Sequence, residues 1–126
     1  MKDIEKDRAA YAYKAVEEGI KENNKYVVYL KKIPMLILNN GLLSALVFMY
    51  QKGDAYEIIL ERLIEWCNKM EKEMKIKTNT KVFNVGDVEE TLRNVAGISQ
   101  SQYRYCTKEI LSLLVWMKRF GEGMAE

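Results

Sequence analysis

Ile33-Pro34-Met35-Leu36-Ile37-Leu38-Asn39-Asn40-Gly41-Leu42-Leu43-Ser44-Ala45-Leu46-Val47-Phe48-Met49-Tyr50-Gln51 runs for nineteen residues between Lys32 and Lys52 without a charge. About twenty apolar residues cross a bilayer as one helix, so this stretch decides between a membrane span and a soluble helical fold. Pro34 and the central Asn39-Asn40-Gly41 argue against a span, because they would put amides and a broken helix in mid-bilayer, where freed backbone groups need internal partners. Two short buried helices meeting at Gly41, a residue free to take the positive φ that ends a helix, satisfy the same pattern. The stretch reads as a core element.

Outward from it, three- and four-residue spacings dominate. Ala9, Ala12, Val16 and Ile20 predict a helix over 3–22, broken by Asn23-Asn24. A second helix is expected over 25–38, adjusting at Pro34, which has no N–H to donate, and a third over 42–51. Asp54 is a fair N-cap for a fourth helix to about residue 75, carried by Ile59, Leu63, Trp66, Met70 and Met74. Residues 76–84 look like an exposed loop. Asp87 opens a short helix over 88–95, closed by Gly97. Ser99 with Gln102 forms a capping box for a last helix over 100–120, whose stripe is Tyr103, Cys106, Ile110, Leu113, Met117 and Phe120. The expectation is an all-α fold, a compact bundle of about six helices with no sheet, in one domain spanning 1–126.

Composition agrees with a globular chain: 48% of the 126 residues are apolar, 30% charged, with one proline. Twenty Lys and Arg face eighteen Asp and Glu, and each half carries ten basic and nine acidic residues, so there is no basic tail. A nucleic-acid surface would have to come from charge placement on a folded face. The charged N-terminus lacks the apolar core of a signal peptide, and Cys67 and Cys106 fall on apolar stripes; reduced core thiols in the cytoplasm are expected. There is no histidine, and GxxxxGK[ST], HExxH, CxxC and GxSxG are all missing, so no catalytic set, metal site or cofactor is expected. Glu17-Glu18 and Glu89-Glu90 read as solvated helix faces, and Trp66 and Trp116 as core.

Charge is nevertheless uneven. Residues 101–120 carry four basic residues against Glu109, and 14–32 five lysines against three glutamates, whereas 82–99 carry Arg93 against three acids. At 100° per residue, Arg104, Lys108, Lys118 and Arg119 lie nearly opposite the apolar stripe of the last helix, together with Leu111 and Val115. One account is a central helix packed on both sides. The other is a subunit contact through Leu111 and Val115, flanked by phosphate-binding groups. The pattern alone favours the first.

Two blocks carry a resemblance. One is Lys32-Ile33-Pro34 through Asn40-Gly41-Leu42 to Phe48; the other is Tyr103-Arg104 with Thr107 and Glu109, followed by Trp116-Met117-Lys118-Arg119-Phe120. With Arg8, Ala9 and Ala12 they resemble, in order over residues 8–120, the small subunit of type III-B CRISPR effector complexes, the Cmr ribonucleoprotein. The resemblance implies a six-helix, non-catalytic subunit without cofactor. It would stack in copies beside the backbone subunit and other Cmr subunits, along guide and target RNA. Arg8, Lys32, Arg104, Lys118 and Arg119 occupy its matched positions. Helix geometry adds Lys14 and Lys108 as phosphate contacts, with Leu111 and Val115 as subunit interface. Two rivals stay open: the small subunit of a type III-A or type I system, and a helical adaptor binding only protein through Leu111, Val115, Tyr11 and Tyr29.

Overall fold

The computed structural model describes residues 3–73 and 81–125. Its elements are α1 (Ile4–Glu22), α2 (Tyr26–Asn40), α3 (Leu42–Lys52), α4 (Ala55–Glu73), α5 (Val88–Gly97) and α6 (Gln100–Met124), with no strand among the described residues. Buried side chains from all six join one apolar cluster. Among the described residues, no helix is long and apolar enough to cross a membrane. The all-helical bundle expected from the spacing is the fold.

Helix ends follow local chemistry. The Asp3 carboxylate accepts from the N–H groups of Glu5 and Lys6 at 3.1 and 3.3 Å and starts α1. Asn23 ends it, its Oδ1 accepting from the Lys25 N–H at 2.8 Å, which turns the chain into α2. Tyr26 then lies against Gly19 so closely that a Cβ there would collide with the ring. α2 runs unbroken through Pro34 to Asn40; Leu30 loses a hydrogen-bond donor, and burial of Tyr26, Leu30, Ile33 and Ile37 offsets the loss. At Gly41, φ is 87° and ψ 161°, a region open essentially to glycine, so α2 and α3 meet there as the uncharged stretch requires.

Asp54 stands before α4 at φ 57°. Its carboxylate accepts from Asn23 Nδ2 at 2.7 Å and lies 3.7 Å from Lys25 Nζ, tying the start of α4 to the α1–α2 turn. α4 is the central helix: Ile59, Leu63, Trp66 and Met70 are buried, while Met74, the fifth residue of the stripe, lies outside the described residues.

Residues 81–84 correct the exposed loop expected over 76–84, of which 76–80 lie outside the described residues. Val82 and Phe83 are core residues, and their N–H groups donate to the two Glu71 carboxylate oxygens at 2.8 and 2.7 Å. Polar neighbours hid two apolar side chains whose backbone is satisfied from a distant helix. Asp87 caps α5 by accepting from the Glu90 N–H at 3.0 Å. The Ser99–Gln102 box opens α6, both of its bonds measuring 3.3 Å. α6 continues four residues past the expected end, because Gly121 packs against Leu30 and Val27 of α2.

Cys67 and Cys106 are buried, free thiols. Desolvation, with Glu71 and Glu109 nearby, pushes the Cys106 thiol up to about 12 and raises Cys67 as well.

Candidate nucleic-acid interface

α6 packs against α1, α2 and α4 and leaves one side open. Its buried residues are Cys106, Glu109, Ile110, Leu113, Leu114, Met117 and Gly121. Opposite them stand Arg104, Lys108, Val115 and Arg119, with Leu111 and Lys118 leaning toward α2. α2 runs antiparallel beside α6: Tyr103 near the start of α6 accepts from the Leu43 N–H at 2.8 Å, and Gly121 near its end meets Leu30. Arg104, Lys108, Lys118 and Arg119 are all exposed, and none pairs with an acid among the described residues. At 1.5 Å per residue they line a ridge about 22 Å long. Val115, 47% exposed, and half-buried Leu111 lie within it. α6 is therefore not packed on both sides.

The other three expected cations stand elsewhere. Arg8 points inward, only 15% exposed, and grips Glu109, whose residue is 4% exposed. Arg8 Nε meets Glu109 Oε2 at 2.8 Å and Nη2 meets Oε1 at 2.9 Å. Trp66 Nε1 donates to the same Oε2 at 2.9 Å. Burial alone would raise the Glu109 carboxyl, but the bonds from Arg8 and Trp66 outweigh it and hold the group below the ordinary glutamate range. Arg8 thus clasps α1 to α6 and leaves no guanidinium free for phosphate. Lys14 lines a pocket between α1 and α4 with Tyr11, Glu18, Arg62 and Glu65. Lys32 lies 5.7 Å from the Tyr29 ring, on the side of α2 turned away from α6. The fold gathers four of the seven cations into one line and disperses three.

Some contributors escaped the sequence reading. Exposed Lys31, 3.9 Å from Glu122 of α6, stands on the α6 side of α2, which helix geometry could have shown. Glu109 sits inside the apolar stripe, and a carboxylate there demands a partner. Trp66 is fully buried as expected, but Trp116 is only half buried, with Nε1 donating to Glu5 Oε1 at 2.6 Å and Arg119 5.5 Å from its ring.

The opposite charge collects on the outer side of α4. Glu57, Glu61, Glu65, Asp87 and Glu89 surround a cleft of about 530 Å³ between α4 and the start of α5. Arg62 also lines this cleft, but five acids against one cation leave it net negative and disfavour phosphate there. Among the described residues, no three His, Cys, Asp or Glu side chains come together in a way that could hold a metal ion.

Residues 4–124 match the family model described as CRISPR-associated protein (Cas_Cmr5). The match begins at the first residue of α1 and ends at the last residue of α6, so it takes in every helix described above. The chain belongs to the Cas_Cmr5 family of CRISPR-associated proteins, the small subunit of the type III-B Cmr complex.

Proposed function

We propose that this chain is a non-catalytic subunit that helps hold guide and target RNA by phosphate contacts along the α6 ridge. It would act as one helical domain, with copies stacked along a cytoplasmic complex beside the backbone subunit. The ridge carries the reading: four exposed cations over about 22 Å, with no acid partner among the described residues, on the side away from the acidic cleft. All four are exposed side chains suited to backbone phosphates rather than to base edges, so the affinity they add is indifferent to sequence.

The test is RNA binding by the assembled complex with Arg104→Ala and Arg119→Ala together. Loss should be uniform across RNA sequences, and the slope of log K against log salt should fall by about 1.4, at roughly 0.7 per single-strand phosphate contact. An unchanged slope removes both arginines from the RNA path.

A protein-only adaptor is the second reading, supported by Leu111 and exposed Val115 within the same ridge. Under it, Val115→Asp disrupts assembly while neutralising the cations leaves RNA protection intact.

A further inference from the structure

Tyr13 of α1 and Trp116 and Phe120 of α6 form an aromatic cluster on the flank where these helices meet. Tyr13 and Phe120 stand edge to face, centroids 5.3 Å apart; Phe120 and Trp116 stack at 5.9 Å with planes 27° apart. The Arg119 guanidinium lies 5.5 Å from the Trp116 ring, within cation–π range. Tyr13 remains 49% exposed, although a phenol ring with apolar neighbours gains by being covered.

We propose that this flank is a stacking platform for one unpaired nucleobase of single-stranded RNA, an inference that rests on the phosphate reading of α6. The exposed Tyr13 ring is the landing surface; Phe120 backs it edge to face, and Trp116 stacks on Phe120 in turn. Arg119 joins the platform to the ridge, so a strand whose phosphates follow Arg104 to Arg119 can turn a base onto Tyr13 at the far end. The charge balance favours this occupant. Glu5, the acid in contact with the cluster, is bonded to the Trp116 N–H and lies 3.7 Å from Arg8, whereas Arg119 has no acid partner among the described residues. Glu17, a turn beyond Tyr13, stands closer to the outer side of α1. Every base has a π face, so the platform accepts any of the four.

The experiment titrates the full chain at low salt with oligouridine and with an abasic oligoribose phosphate of equal length, following tryptophan emission. Trp66 is fully buried, so quenching reports on Trp116. Oligouridine should bind at least about fivefold more tightly than the abasic chain and should quench. Tyr13→Leu should abolish that preference without changing abasic affinity, and Tyr13→Phe, which keeps the ring, should retain it. Equal binding of the two chains overturns the platform and leaves the phosphate ridge standing. Loss of abasic affinity in Tyr13→Leu also overturns it, because the defect is then not one of stacking. Binding of neither chain overturns the platform as a site of this subunit, while the salt slope of the complex still decides the ridge.

Discussion

At Glu109 the physics of a buried charge is laid out in full. A lone carboxylate in an apolar stripe is costly, so it must be paired and hydrogen-bonded. Arg8 and Trp66 between them occupy both oxygens. Replacing Glu109 with Gln removes the countercharge from a guanidinium that is only 15% exposed, and unfolding titrations should show a loss of about 3–5 kcal/mol. The native carboxyl lies below its unfolded value, so its contribution is complete above that value. It should be lost as pH falls from about 4.3 through the native value. Melting temperature against pH should therefore drop on the acid side in the parent and be flatter there in Glu109→Gln. The sequence reading counted Glu109 as the one acid among the cations of the last helix, and its partner Arg8 lies 101 residues away. Arg8 matched a family position, and position alone does not say whether a cation faces water or a carboxylate.

Elements were the most legible scale, because their signals are local. The Ser99–Gln102 box, the Asp87 cap, and the break at Gly41 each involve residues within a turn of one another. Gly41 offers a sharp check. Its φ of 87° and ψ of 161° are strained for any side chain, so Gly41→Ala should destabilise by about 1–3 kcal/mol in denaturant unfolding. The cost is one of backbone strain, since the nearest atom, the Tyr103 hydroxyl, lies 3.4 Å from where the Cβ would stand, an ordinary contact. What failed at this scale depended on distant partners. Val82 and Phe83 are buried because Glu71 satisfies their N–H groups, and α6 runs on to Met124 because α2 offers Leu30 and Val27 to Gly121. No short-range pattern reports either contact.

Across the whole molecule, a net charge of +2 conceals a separation: acids around the α4–α5 cleft, cations along α6. The segment sums in the sequence foreshadowed this. They could not show that Lys14 and Lys32 would turn to other sides, because the rotation of one helix relative to another is set by packing. The four α6 cations were predictable together because they share a single helix, where 100° per residue fixes their relation. The central claim is that the four cations of α6, rather than Lys14 of α1 or Lys32 of α2, supply the phosphate track. The most direct measurement is the salt dependence of RNA binding by the assembled complex, with Arg104, Lys108, Lys118 and Arg119 all changed to Ala and, separately, Lys14 and Lys32 changed to Ala. The account expects the slope of log K against log salt to fall by about 3 in the fourfold variant and to stay unchanged in the double one. A slope unmoved by the fourfold change, or moved equally by the double, would contradict it.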